Sequence, residues 1–69
     1  MGTRSTGVIA SFDDPRGIGV VRTDVGREFA FHCTAIADGT RTIAEGVAVA
    51  FEVVAGNLGV WEASAISRR

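Results

Sequence analysis

Arg16-Gly17-Ile18-Gly19-Val20-Val21 is the stretch on which the fold turns. Two glycines alternate with branched apolar residues, which is the pattern of a strand with no side chain at every second position, open to close approach by another backbone or a ligand. A side-chain period of two puts Arg16, Ile18, Val20 and Arg22 on one face and Gly17, Gly19, Val21 and Thr23 on the other. A dinucleotide-binding turn is excluded. Its third glycine would fall on Arg22, and no helical period follows to present an N-terminus to phosphate.

Outward from this strand the chain reads as short β segments joined by turns. Gly7 to Phe12 is a first strand, stopped by Asp13-Asp14-Pro15. After the glycine strand, Asp24-Val25-Gly26 turns the chain. Arg27 to Cys33 is a third strand with Phe29 and Phe31 on one face and Glu28, Ala30 and His32 on the other. Thr34 to Ala37 suits a short helical turn and Asp38 to Glu45 a polar loop. Gly46 to Val54 alternates with Val47, Val49, Phe51 and Val53 on one side, and Gly56-Asn57 turns into a fifth strand, Val60 to Ile66. A three-strand meander, a longer connection and a closing hairpin predict an all-β fold, a small five-stranded closed antiparallel barrel of the OB type. An open β-sandwich fragment and an SH3-like barrel fit the pattern too.

Composition sets bounds on function. Sixty-nine residues make a single domain, with its barrel over about residues 7–66, and such a chain buries only roughly 60% of its unfolded surface. One cysteine excludes an internal disulfide, and no apolar run approaches the roughly 20 residues that span a bilayer. A reducing, cytoplasmic setting and no membrane partner are the expectation; Met1-Gly2 with Thr6 fits an N-myristoylation pattern only formally. All seven cations are arginine and eight acids oppose them, a formal net charge of −1. No global field draws this chain to a polyanion, so any nucleic-acid site is local.

With these segments in place, the chain resembles the bacterial cold-shock domain family from Gly7 to about Ala65. Gly7-Val8-Ile9 with Phe12 resembles the family's first strand. Arg16-Gly17-Ile18-Gly19-Val20-Val21 resembles its first ribonucleoprotein-type motif, Lys-Gly-Phe-Gly-Phe-Ile. Phe29-Ala30-Phe31-His32-Cys33-Thr34-Ala35-Ile36 resembles the second, Val-Phe-Val-His-Phe-Ser-Ala-Ile, and Glu45-Gly46 before Val49 and Phe51 resembles the junction with the fourth strand. The resemblance implies the same five-stranded barrel. It also implies binding of single-stranded RNA or DNA by stacking bases on outward aromatics, RNA-chaperone activity, no enzymatic activity and no cofactor. Most of those aromatics are changed here. Ser11 stands in place of Trp; Ile18, Val20, Ala30 and Cys33 replace phenylalanines; Thr40 replaces a loop aromatic; Phe12 and His32 remain. Stacking contributes about 1–3 kcal/mol per base and a micromolar complex totals about 8 kcal/mol, so weak or altered binding is expected. In the family's register Phe29 and Phe31 occupy inward positions usually held by valine. They are expected to build the core, with alanines such as Ala48, Ala50 and Ala63 supplying room.

The candidate nucleic-acid site is Phe12, Arg16, Ile18, Val20, Arg22, Ala30, His32 and Trp61. Arginine and histidine suit phosphates or base faces, and the aliphatics suit base faces. Exposed aliphatics rimmed by charge equally suit a protein partner or a homodimer through Ile18 and Val20, and loops covering the patch would make it ordinary surface. His32 and Cys33 are adjacent in a strand, which points them to opposite faces and argues against a catalytic pair; one His and one Cys make no closed zinc site. Trp61 either replaces a lost platform or caps the barrel. Asp13 and Asp14 read as solvated turn residues, and Arg68-Arg69 as a frayed basic end.

Overall fold

The computed structural model describes residues 3–56 and 60–69. Five strands, β1 (Thr3–Asp13), β2 (Ile18–Thr23), β3 (Glu28–His32), β4 (Ala48–Ala55) and β5 (Trp61–Arg68), with a 3-10 turn at Cys33–Ala35, form a closed barrel in the order β1-β2-β3-β5-β4. Four seams are antiparallel, as the sequence predicts, and β3 pairs with β5 in parallel through Ala30 and Glu62. The parallel seam is a necessity of counting. Strand directions cannot alternate all the way round a ring of five, so one neighbouring pair must run the same way.

Each turn has a local cause. The Gly17 N–H donates to the carbonyls of Asp13 (2.8 Å) and Asp14 (3.2 Å), and Gly17 itself sits at φ +66°, where a side chain is strained. That turn delays β2 to Ile18, two residues later than the alternation suggests. Gly19 is needed for a different reason. A β-carbon there would lie 2.6 Å from Phe31 Cζ and 2.7 Å from the Ser11 carbonyl oxygen. The close approach that the glycine strand advertises is therefore made by a core phenylalanine. β3 ends at His32, where Cys33 enters the 3-10 turn. The expected Gly56-Asn57 turn falls partly outside the described residues, as does the formal myristoylation site at Gly2.

Two bulges bend the strands closed. β1 begins at Thr3, four residues before the apolar pattern starts, because its first half pairs with β4 and its second with β2. The register steps from Ile9 opposite Val21 to Ser11 opposite Val20, leaving Ala10 unpaired. In β5 the register steps from Ser67 opposite Ala50 to Ser64 opposite Glu52, and Ala65 there takes φ +50°. The inward spacing changes from two to three at that step, so Ala63 and Ile66 are both buried.

The core is Ile9, Val21, Phe29, Phe31, Ile36, Ile43, Val49, Phe51, Ala63 and Ile66. Phe29 and Phe51 meet tilted, with ring centroids 6.0 Å apart. Fully burying side chains such as Phe51 and Val49 stabilises the fold by about 1.5–3 kcal/mol each. The 38–45 connection is less polar in effect than its composition suggests, since Ile43 is buried, and just before it Ile36 bridges Ile66. Of the three alanines expected to make room, Ala63 is inward, Ala50 is half-buried and Ala48 is exposed. No helix of the described residues is long and apolar enough to cross a membrane.

Candidate nucleic-acid interface

The ladders of β1, β2, β3 and β5 arrange the outward side chains as three rows. Asp13, Ile18 and His32 form the first; Ser11, Val20, Ala30 and Glu62 the second; Val8, Arg22 and Glu28 the third. Every one of these is exposed or half-buried, while the alternate positions Gly19, Val21, Phe29 and Phe31 face the core. Ile18, 46% exposed, is the most open large aliphatic of the rows. Five of the eight expected site residues, Ile18, Val20, Arg22, Ala30 and His32, thus share one surface, and Arg16 adjoins it from the turn before β2.

Phe12 and Trp61 stand differently. Phe12 pairs with Gly19 and so has inner-face parity; its half-buried ring stacks on Phe31, centroids 6.0 Å apart, and its remaining edge lines a cleft with Pro15, Ile18 and Val20. Trp61 opens β5 opposite Ala55. Alternation sets it with Ala63 rather than Glu62, yet it is 57% exposed because it lies at the barrel's end. It is therefore neither buried in the core nor in the rows of the outer face.

Carboxylates temper the face. Arg22 donates to Glu28 Oε2 through Nη2 (2.8 Å) and Nε (3.0 Å), a cross-strand pair on the ladder itself. Arg16 Nε lies 3.8 Å from Asp13 Oδ2, both exposed. Glu62 enters the second row from β5. Glu28 was legible as a neighbour of Ala30 and His32 by period two, whereas Glu62 arrives through the parallel seam, which no local pattern announces. A second cleft joins Arg16, Gly17, His32, Thr34 and Arg41 at the edge of the face, adding a cation from the 38–45 connection that strand periodicity does not reveal.

His32 has a local duty. Its Nδ1 accepts from the Thr34 N–H (3.3 Å) and lies 3.0 Å from Thr34 Oγ1, capping the 3-10 turn. Cys33 Sγ comes within 3.8 Å of the same nitrogen, closer than strand alternation predicts, because Cys33 has left the strand. The nitrogen is already engaged by the cap. Arg68 corrects the expectation of a frayed basic end. It belongs to β5, pairs with Asp38, and donates to the Thr42 carbonyl (3.1 Å). The Thr40 backbone N–H and hydroxyl, followed by the Arg68 guanidinium, hold the Asp38 carboxyl below the usual carboxylate range. Among the described residues no group of three or more His, Cys, Asp or Glu gathers as metal ligands would.

The comparisons with known proteins agree with this closed five-stranded barrel in pointing to one family. The family model of the 'Cold-shock' DNA-binding domain matches residues 5–68. The chain is 35% identical over 69 residues to cold shock-like protein CspG of Shewanella violacea, covering 97% of this chain and 99% of that protein. It is 40% identical over 58 residues to cold shock-like protein CspA of Stigmatella aurantiaca, covering 81% and 85%. With cold shock protein CspB of Bacillus caldolyticus it shares 34% over 61 residues, covering 87% and 92%. A match over nearly the whole chain, joined to the closed barrel, makes this protein a member of the cold-shock domain family, whose proteins bind nucleic acid and are not enzymes.

Proposed function

We propose that this protein binds single-stranded RNA or DNA on the outer face of β2 and β3, more weakly than a face rich in aromatics would, and that it serves as an RNA chaperone in the cytoplasm. The observation that carries the reading is the clustering of Ile18, Val20, Ala30 and His32 on one exposed surface with Arg16 and Arg22 at its rim. The aliphatics cover base faces, the arginines meet phosphates, and the edge of Phe12 extends the apolar strip toward Pro15. Trp61, more than half exposed at the start of β5, reports on or adds to binding from the barrel's end.

The test is a titration of a labelled ten-base pyrimidine oligonucleotide, followed by anisotropy and by Trp61 fluorescence. Binding is expected to saturate and to weaken with salt, log affinity falling against log salt by about 0.7 per phosphate neutralised. Arg16→Ala is expected to weaken it further. Salt-insensitive binding, or none from folded protein, refutes the reading. The exposed Val8 and Ile18, with the half-buried Val20 beside them, support a second reading, a protein-interaction or self-association surface. Light scattering across concentration separates the two, since a dimer would be abolished by Ile18→Asp.

A further inference from the structure

The parallel seam carries a carboxylate to the β5 edge of the proposed face. Glu62 lies across from Ala30, half-buried, and with Ile18, Ala30, Phe31 and His32 it lines a shallow cleft of about 190 Å³. Its carboxyl group lies over Gly56 at the end of β4 and borders the cleft from that side: a β-carbon on Gly56 would collide with Glu62 Cδ and Oε2. Among the described residues the ion pairs join Arg16 to Asp13, Arg22 to Glu28 and Arg68 to Asp38, and none engages Glu62. A carboxylate so placed repels phosphate from this edge of the face and offers two acceptor oxygens to a base whose pairing edge reaches it.

Resting on the function proposed above, we infer that this cleft is a guanine-selective subsite in which Glu62 accepts two hydrogen bonds from the base. Of the standard bases, guanine alone presents two adjacent donors, N1–H and N2–H, on its pairing edge. Cytosine and adenine set an amino group beside an acceptor nitrogen, and uracil or thymine sets one N–H between two carbonyl oxygens. Single-stranded bases are read on these edges. Ile18 and Ala30 cover the base face, while phosphates are diverted to Arg16 and Arg22 at the rim. Replacing aromatic platforms removes contacts that every base satisfies equally. The hydrogen-bonding group left in the cleft then discriminates, because a base without the matching donors strands a desolvated carboxylate.

The experiment titrates the full chain at low salt with three labelled ten-base oligonucleotides: all thymine, and thymine with a central guanine or a central cytosine. The guanine oligonucleotide is expected to bind about tenfold more tightly than all-thymine, the discrimination of one bidentate base contact, with cytosine near thymine. Glu62→Gln keeps the side-chain size but turns one acceptor into a donor. It is expected to abolish the guanine preference while tightening all-thymine binding through loss of repulsion. Equal affinities for guanine and thymine, or a preference that survives in Glu62→Gln, overturn the subsite and leave nucleic-acid binding intact. Failure of the folded protein to bind any of the three refutes the underlying reading and the subsite with it.

Discussion

Restoring aromatics to the outer face is the sharpest test of why binding should be weak. Ile18 and Val20 lie on one face of β2, directly across from His32 and Ala30, and neither contributes to the core. A base stacked on an aromatic gains about 1–3 kcal/mol relative to alanine. Isoleucine and valine already supply part of that apolar contact, so the gain on changing either to phenylalanine belongs at the low end, about 1 kcal/mol or fivefold in affinity. For Ile18→Phe with Val20→Phe the independent product is about 25-fold, an upper bound because side chains two residues apart on one face interact. Stability should change by under about 0.5 kcal/mol at the open Ile18 position. The half-buried Val20 has only the small Ser11 and Ala30 across its two ladders, which leaves room for a ring. Anisotropy titrations read affinity and urea melts read stability. A double variant with an unchanged urea midpoint and less than a twofold gain in affinity would refute the stacking account.

Three further outcomes test the fold. Gly19→Ala should destabilise the barrel by about 1–3 kcal/mol in urea unfolding, the usual cost of overpacking, since its methyl would meet both the Phe31 ring and a backbone carbonyl. Ala65→Gly should raise stability by up to about 1 kcal/mol, the reverse of the usual effect in a strand, because φ +50° strains a β-carbon by about 1–2 kcal/mol. The Asp38 carboxyl is held below its usual value in the folded state, so its contribution is complete above an unfolded value of about 3.9 and is lost as pH falls through the lower folded value. Urea midpoints measured from pH 5 downward should show this acid sensitivity in the native protein and less of it in Asp38→Asn.

What the sequence made legible follows from how far apart the deciding residues lie. Strand periodicity put Phe29 with Phe31, and Val49 with Phe51, on shared faces because each depends only on its near neighbours, and the family resemblance then turned Phe29 and Phe31 inward and Ile18 and Ala30 outward. The bulges at Ala10 and Ala65 escaped it. Both residues are alanines with no conformational signature, and the phase step in β5 shows only once Ala63 and Ile66 are seen to be buried together. The polar start of β1 was missed for a similar reason: Thr3 to Thr6 is a strand only because β4 is there to pair with it. Glu62 and Arg41 reached the site from other parts of the chain, and Arg68 is held by Asp38 where a frayed end was expected, all long-range events.

The two faces of a strand answer to different demands, and this chain treats them separately. Most of the aromatic bulk sits inside, where Gly19 makes room for Phe31, and it stabilises the barrel without offering a base a platform. The outside keeps cations, but Arg22 is bound to Glu28 at 2.8 Å and Arg16 lies 3.8 Å from Asp13. A phosphate reaching Arg22 therefore exchanges with a carboxylate and does not meet a bare cation. The nucleic acid still releases its condensed counterion, yet the freed Glu28 takes up a cation from solution. Net ion release at Arg22 falls below the roughly 0.7 per phosphate expected of an unpaired arginine. Glu28→Gln removes the uptake, so it should steepen the salt dependence while raising affinity at low salt. A slope unchanged by that substitution would mean that phosphate never displaces the pair, and that the polyanion is held by Arg16 and the edge cleft with Arg41 alone.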